Sequence, residues 1–260
     1  MSGRVARISI APVKALALVH PEAVDLGRDG VAGDRRFWLL DSDGRLVNNR
    51  VLGPLMRVRP AWDEATRHLA LVFPTGDVVE GVVELGAPVA AELHRRAHPS
   101  RSVIGPWQKA LSAYAGAPLR LLWSESGAAD RAATGGAVSL ISQASLERLR
   151  AEAGATAPVD GRRFRMSFEI DGVPEHAEDE WIGSRVRVGQ AEIDVGGDVG
   201  RCVITTLDPD LGTRDLDTLG ALARYRHEGH TEPLPFGVYA AVTTPGRVAV
   251  GDAIGASVLA

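Results

Sequence analysis

The sequence predicts a mainly β protein with inserted helices, an α+β arrangement, on three observations. Short runs rich in β-branched and aromatic residues recur in the first third and in the last hundred residues. Turn residues separate these runs at intervals that are typical of a barrel or a sandwich. Between and within the two β-rich parts, a few stretches have the apolar spacing of helices.

The first third of the chain is predicted to form strands. Residues 5–10 are a β-branched run that ends before Pro12. Residues 37–47 read as a hairpin, because Asp41-Ser42-Asp43-Gly44 is a turn sequence with glycine where a positive φ is needed. Residues 68–73 and 78–85 are a second strand pair, and residues 88–98 fit either a short helix or a strand.

The middle of the chain is predicted to contain two helices. Residues 106–115 have helical spacing and end at Gly116. Residues 142–153 form the better-defined helix, with Ser142 as the N-cap and a closing glycine at position 154. A strand is expected at residues 119–123, and residues 124–136 are small and polar, which is typical of a mobile loop.

The last hundred residues return to predicted β structure, with a helix at residues 216–225. The predicted strands are 168–170, 186–188, 191–195, 203–206, 237–243, 248–250 and 256–259. We therefore expect a β-rich N-terminal domain over residues 1–117 and a β-barrel domain over residues 118–260.

Composition excludes some classes of function. The net charge of −4 over 260 residues argues against a large basic face for nucleic acid. No apolar run approaches the length of a membrane span, and one cysteine cannot form an internal disulfide. We expect a cytoplasmic protein. All but two of its basic residues are arginine, and one of the two lysines, Lys14, is a weak candidate for a site.

Cys202 is the main candidate for chemistry. A lone cysteine is commonly a small buried hydrophobe. Here residues 196–200, which are rich in glycine and predicted to form a flexible loop, precede it, Arg201 adjoins it and two threonines follow. A neighbouring guanidinium favours the thiolate, the form that attacks electrophiles or binds metal, provided that Cys202 lies at the edge of a loop. A buried role and a reactive role both remain open on these residues alone.

Two arginine clusters are further candidates. They are Asp34-Arg35-Arg36-Phe37 and Arg162-Arg163-Phe164-Arg165. Each fits either a solvated turn or a clamp for a phosphate or another anion, which planar guanidinium groups bind through paired hydrogen bonds.

Together these segments resemble a MOSC-domain protein with the β-rich N-terminal domain that often accompanies it. The matching segments are APVK (11–14), GVAGDRRFWLLD (30–41), NR (49–50), RFR (163–165), EDEWIG (178–183), RCVITTLDP (201–209), FGVY (236–239) and VGD (250–252). They occur in the family's order along nearly the whole chain. Two positions depart from the family pattern: Ser167 stands where asparagine is common, and Ala15 stands where serine is common.

The resemblance implies a molybdenum-cofactor protein similar to the amidoxime-reducing component and its bacterial relatives. It implies that Cys202 is the molybdenum ligand and the catalytic residue, beside the sulfurs of the pterin. It also implies a cofactor-binding set, which is Lys14, Arg36, Ser142, Arg165, Ser167, Arg201 and Cys202. A soft thiolate suits a molybdenum–sulfur centre, and the basic residues suit the phosphate of molybdopterin.

The implied activity is reduction of N-hydroxylated or N-oxide compounds by oxygen-atom abstraction. The chain has no iron–sulfur cysteine cluster and no flavin fingerprint. Electrons are therefore expected from separate partners, a flavoprotein reductase and an iron–sulfur or haem carrier. The alternatives are a sulfur carrier or cofactor-handling protein that uses a Cys202 persulfide, and a repurposed fold without cofactor.

Overall fold

The computed structural model describes residues 2–93, 96–129 and 137–256. Up to residue 129 the strands are β1 Ser2–Ile8, β2 Ala23–Gly27, β3 Gly30–Val31, β4 Phe37–Asp41, β5 Leu46–Val47, β6 Arg59–Asp63, β7 His68–Val72, β8 Val78–Val82, β9 Glu84–Val89, β10 Glu92–Leu93, β11 Arg96–Ala97, β12 Ser100–Ile104 and β13 Leu119–Ser124. From residue 137 they are β14 Val138–Ser142, β15 Phe168–Asp171, β16 Arg185–Val188, β17 Ala191–Gly200, β18 Pro235–Thr244, β19 Gly246–Ala249 and β20 Ala253–Ala256. The α-helices are α1 Trp107–Ala115, α2 Gln143–Ala153 and α3 Thr218–Tyr225. Short 3₁₀ helices lie at Gly53–Arg57, Gly161–Phe164, Asp179–Trp181 and Val203–Thr206.

A closed seven-stranded barrel forms the larger sheet. Its strand order is β1-β15-β14-β18-β17-β16-β20. The β14–β15 pair is parallel, whereas the other strand pairs of the barrel are antiparallel. Side chains alternate as the strand period requires: along β16, Val186 and Val188 face the core while Arg185 and Arg187 are exposed. The barrel is therefore filled by aliphatic side chains and has no open edge between these strands.

The N-terminal part contains a second core. The five-stranded sheet β5-β4-β13-β12-β9 and the three-stranded sheet β6-β7-β8 enclose it together with α1. Trp107, which is fully buried at the start of α1, donates its indole N–H to the carbonyl oxygen of Leu69 at 3.0 Å. This hydrogen bond satisfies the polar edge of the ring and fixes α1 on strand β7.

Strands cross the predicted boundary at residue 117 in both directions. Strand β1, from the start of the chain, closes the barrel between β15 and β20. Strand β13, from beyond the boundary, pairs with β4 and β12 in the N-terminal sheet. The assignment of residues 1–117 and 118–260 to two domains stays a prediction, but the two units interlock through exchanged strands.

The mainly β fold with inserted helices is confirmed, as are the two N-terminal strand pairs and the three helices. Gly44 adopts φ 77° in the first turn, and Gly116 and Gly154 are left-handed C-caps. Within residues 88–98, the described residues contain strand segments and no helix. Residues 130–136 of the predicted loop and residues 257–259 of the last predicted strand lie outside the described residues.

Two predictions around Cys202 are wrong. Residues 203–206 form a 3₁₀ helix and not a strand. The threonine hydroxyls bond back to carbonyl oxygens three residues earlier, Thr205 to Cys202 and Thr206 to Val203, and this local bonding competes with a β ladder. The glycine-rich segment 196–200 is not a loop but the end of β17, where register shifts accommodate the glycines.

Candidate functional site

A cavity of about 160 Å³ lies between the N-terminal unit and the barrel. The N-terminal unit contributes Lys14, Ala15, Arg35, Asn48 and Asn49. The barrel and its loops contribute Ser139, Arg163, Phe164, Arg165, Met166, Val199, Gly200, Arg201, Cys202, Ile204, Thr205 and Tyr239. Four of the predicted site residues, Lys14, Arg165, Arg201 and Cys202, therefore meet at one place.

Cys202 is an exposed free thiol at the mouth of this cavity. It follows the end of β17 with extended backbone and is the N-cap residue of the 3₁₀ helix that begins at Val203. Its carbonyl oxygen accepts hydrogen bonds from the backbone N–H and the hydroxyl of Thr205, both at 3.0 Å. This local turn fixes the backbone of Cys202 while its side chain remains open to a ligand.

Arg163 braces the segment that follows Cys202. Its guanidinium is almost fully buried and donates to the carbonyl oxygens of Thr205 at 3.1 Å and Leu207 at 3.0 Å. It also forms a two-point ion pair with Asp215, at 3.1 and 2.9 Å. A planar donor group that reaches two carbonyls and one carboxylate holds the backbone beside the thiol in one position. In the sequence Arg163 is one member of an arginine cluster, and its positioning role is visible only in the structure.

Lys14 lies in a short segment that follows β1 and runs beside β4. Its backbone N–H donates to the carbonyl oxygen of Phe37 at 2.8 Å. The next residue, Ala15, has φ 78°, and its carbonyl oxygen accepts a 2.5 Å hydrogen bond from the buried side-chain amide of Asn49. A positive φ costs an alanine free energy, and the hydrogen bond from Asn49 stabilises this conformation of Ala15. It thereby fixes the position of Lys14 at the cavity wall.

Arg35 and Arg165 join the two units at the cavity. Arg35 donates to the carbonyl oxygen of Arg165 at 2.9 Å, and Arg165 donates to the carbonyl oxygen of Leu16 at 2.8 Å. Arg35 also pairs with the buried carboxylate of Asp34, which accepts the backbone N–H of Ala11 at 2.7 Å. Both arginines have left-handed backbone, with φ 48° and 54°. These hydrogen bonds hold the two units together at the cavity, whose walls come from both.

Arg201 lines the cavity wall and contacts three groups of the barrel and its loops. Its guanidinium donates to the carbonyl oxygens of Phe164 at 3.1 Å and Phe236 at 2.8 Å, and to the sulfur of Met166 at 2.9 Å. It also lies over the Phe164 ring, 5.2 Å from the centroid. The guanidinium therefore adds positive charge to the wall while it ties the loop before β15 to strand β18.

Arg36 is not among the residues that line the cavity, whereas its neighbour Arg35 is. Arg36 stacks over the Trp123 ring, 4.5 Å from the centroid, and donates to Glu64 at 3.2 Å. Arg35 lies in a turn with φ 48°, whereas Arg36 leads into strand β4, and the structure places only Arg35 at the cavity. No local pattern in the sequence distinguishes the two arginines.

Ser142 is also outside the lining of the cavity. It is fully buried as the N-cap of α2, and its hydroxyl accepts the Ser145 N–H at 3.1 Å. The backbone N–H of Ser142 and the Ser145 hydroxyl both donate to Glu178, at 3.0 and 3.1 Å. Burial raises the pKa of the Glu178 carboxyl. A side chain of the protein itself thus fills the anion-binding position at this helix start.

Ser167 does not line the cavity but contacts a residue that does. It is buried, and its hydroxyl accepts the backbone N–H of Ser139 at 3.2 Å. The Ser139 hydroxyl in turn accepts the backbone N–H of Ser167 at 3.1 Å. Ser139 lines the cavity, so Ser167 supports a cavity residue from the adjacent strand.

In the part of the chain that the structure describes, no group of three or more His, Cys, Asp or Glu side chains is placed to hold a metal ion. Nor does any described helix have the length and apolar character needed to cross a membrane.

The family assignment follows from sequence comparison. Residues 127–255 match the MOSC domain, and residues 2–104 match the MOSC N-terminal β-barrel domain. The chain belongs to the MOSC-domain family. Since MOSC domains are associated with molybdenum-cofactor binding, this membership supports a molybdenum-cofactor-associated function.

Among curated proteins, the chain is similar to mitochondrial amidoxime-reducing component 1. The mouse (Mus musculus) protein is 35% identical over 122 residues, which cover 44% of this chain and 35% of the relative. The human (Homo sapiens) protein is 32% identical over 123 residues, with the same two coverages. The matches thus span about a third of the length of these relatives.

Two solved structures have related but distant backbones. The YUAD protein from Bacillus subtilis covers 98% of this chain and 94% of its own, at a TM-score of 0.48 and 13% identity. YiiM from Geobacillus stearothermophilus covers 47% of this chain and 55% of its own, at a TM-score of 0.36 and 16% identity. No functional inference follows from similarity at this level.

Proposed function

We propose that this protein is a molybdenum-cofactor-dependent reductase of N-hydroxylated or N-oxide compounds. The observation that carries the proposal is the exposed thiol of Cys202 at a cavity lined by Lys14, Arg35, Arg165 and Arg201. The similarity to the amidoxime-reducing component supports the reaction class.

The residues of the cavity fit molybdopterin. A thiolate is a soft ligand suited to a molybdenum–sulfur centre, and a single protein ligand suffices where the pterin supplies further sulfurs. The phosphate of the cofactor requires cationic donors, which Lys14 provides from the N-terminal unit and Arg165 from the barrel side. In this proposal Ser139, supported by Ser167, offers a hydroxyl, and Arg36 and Ser142 act through the surrounding structure.

When bound, the cofactor would supply two-electron removal of an oxygen atom from an N–O bond, with the oxygen leaving as water. The protein's own residues bind and orient. Cys202 would provide the metal-binding thiolate, and Arg163 and Thr205 hold its backbone through the contacts described above. Electrons would come from a separate flavoprotein reductase and an iron–sulfur or haem carrier. A cytoplasmic location belongs to the same proposal.

The direct test is quantification of molybdenum and pterin in wild type and in Cys202→Ser, both purified from a host that makes the cofactor. We expect molybdenum to fall to a small fraction of the wild-type content and reduction of benzamidoxime to be lost. Val51→Ser, at an exposed position far along the chain from the thiol, is the control and should retain both. Equal molybdenum in wild type and Cys202→Ser would contradict direct ligation.

A second candidate function is sulfur carriage, because the exposed Cys202 thiol is accessible for persulfide formation. The persulfide would be detected by release of sulfane sulfur with cyanide and by the added mass of one sulfur on the Cys202 peptide. A purified protein that carries sulfane sulfur on Cys202, but neither molybdenum nor pterin, would favour this function over the reductase.

A further inference from the structure

A second and larger cavity, of about 490 Å³, lies beside the first and shares Arg165 with it. Its charged and polar lining consists of His20, Arg57, Arg59, Arg162, Arg165 and Asp210. This volume is about three times that of the first cavity. It lies within the usual range for a small-molecule site.

The charges in the second cavity do not cancel. Arg162 donates to Asp210 at 2.8 and 2.7 Å and to Asp160 at 2.8 and 2.6 Å, so its charge is taken up by these two carboxylates. The exposed guanidinium groups of Arg57 and Arg59 make no hydrogen bond or ion pair with any residue that the structure describes. Burial lowers the pKa of His20, so its ring is neutral at pH 7. Arg57 and Arg59 therefore face the cavity without an ion-pair partner among the described residues, and the lining holds four arginines against one aspartate.

The backbone that carries Arg57 and Arg59 is hydrogen-bonded to the segment that follows Lys14. Arg57 ends a 3₁₀ helix and Arg59 begins β6, and between them the carbonyl oxygen of Val58 accepts the backbone N–H of Ala17 at 3.0 Å. Arg165 donates a hydrogen bond to the carbonyl oxygen of Leu16, the residue that precedes Ala17. The segment after Lys14 thus borders both cavities, with Ala15 at the first and Ala17 and Leu18 at the second, and Arg165 lines the two in common.

The same cavity has an apolar part. Leu18, Met56, Pro74 and Pro209 line it together with the charged groups. A cavity with an apolar portion and two uncompensated guanidinium groups suits a small organic molecule with one anionic group. Bulk nucleic acid does not fit, since the site is a cavity and the net charge of the chain is −4.

We propose that this second cavity binds the anionic group, a phosphate or a carboxylate, of a small organic substrate, with Arg57 and Arg59 as its ligands. That the bound molecule is a substrate rests on the proposed reductase function, whereas binding of the anion at Arg57 and Arg59 does not depend on it. The anionic group would dock at Arg57 and Arg59, and the rest of the molecule would extend past Arg165 towards Cys202.

The test uses phenyl phosphate as the binding probe and phenol as its neutral counterpart, titrated calorimetrically into the purified full-length protein. Arg57→Gln/Arg59→Gln should weaken phenyl phosphate binding about tenfold, because two charge-assisted contacts are lost. The control, Arg28→Gln/Arg187→Gln, removes the same charge from exposed positions and should change the affinity by less than about twofold. Molybdenum and pterin are quantified in every preparation.

A kinetic comparison links the site to the reaction. With loaded enzyme, Arg57→Gln/Arg59→Gln should raise KM for 4-carboxybenzamidoxime and leave KM for neutral benzamidoxime unchanged. Unaltered phenyl phosphate binding in the double variant would overturn the proposal. So would a parallel loss of pterin, which would assign the cavity to the phosphate of the cofactor. A protein that binds phenyl phosphate through Arg57 and Arg59 but reduces neither amidoxime would refute the reductase function and leave the anion site standing.

Discussion

Backbone conformation marks the cavity at the scale of single residues. Among the described residues, six that are not glycine have positive φ, and three of these, Ala15, Arg35 and Arg165, line the cavity. Each such conformation costs on the order of 1 kcal/mol for a side chain larger than glycine, and it persists where surrounding contacts enforce it. Here the enforcing contacts are the hydrogen bonds of Arg35 and Arg165 between the two units, and for Ala15 the hydrogen bond from Asn49 within the N-terminal unit. Clustering of strained residues at one cavity supports its assignment as the functional site.

His176 gives a prediction of pH dependence at the same scale. Burial, and then the charges of Arg226 and Arg148, lower its pKa to about 4. The unfolded chain protonates this ring near pH 6.5, whereas the folded chain does so near pH 4. As the pH falls from 6.5 to 4, the unfolded state therefore takes up a proton that the folded state does not, and this group makes the fold less stable.

The effect is isolated by comparing urea unfolding of wild type and His176→Asn between pH 7 and pH 4. Asparagine tolerates the φ of 59° at this position. We expect the variant to lose less free energy of unfolding than wild type over this range. His227→Asn, at an exposed histidine, is the control and should match wild type. Parallel curves for wild type and His176→Asn would exclude a buried neutral ring.

At the scale of elements, helix α2 was predictable because its signals are local. Ser142 caps its start and Gly154 caps its end, and serine and glycine are among the residue types preferred at these two positions. The 3₁₀ helix after Cys202 was not predictable in the same way, because its β-branched residues are typical of a strand. Its stability depends on the hydroxyl of Thr205, which contacts Thr218 at 2.8 Å, and on Arg163 from a separate loop.

Ser142→Ala separates a structural role at the start of α2 from the cofactor-binding role that family resemblance implies. Loss of the cap should lower the free energy of unfolding by about 1 kcal/mol. Because Ser142 does not line the cavity, molybdenum and pterin contents should remain at wild-type levels. Denaturant unfolding and metal analysis measure the two effects. A loss of pterin without a loss of stability would restore Ser142 to the cofactor site.

For the whole molecule, closure of the barrel depends on the first strand of the chain. Val5 in β1 is fully buried in the barrel core and pairs with Ile170 of β15. Val5→Ala should destabilise the protein by about 2 kcal/mol, through lost burial and the cavity left behind. Val51→Ala, at a valine that is 65% exposed, is the matched control and should cost less than about 0.5 kcal/mol.

Hydrogen exchange shows where that loss of stability is felt. Since β1 hydrogen-bonds to β15 and β20, amides of those C-terminal strands should lose protection in Val5→Ala. Loss confined to the N-terminal sheet would contradict closure of the barrel by β1.

The sequence by itself determined the fold class, most hairpins and helices and the family, and it singled out Cys202 as the main candidate for chemistry, because turn residues, caps and short motifs act over a few neighbouring residues. The tertiary structure decided which arginines of the two clusters reach the cavity: Arg35 and not Arg36, and both Arg163 and Arg165. It also decided that strands are exchanged between the units. Those outcomes depend on which face a residue presents and on pairing between distant segments, and neither is written in a local pattern.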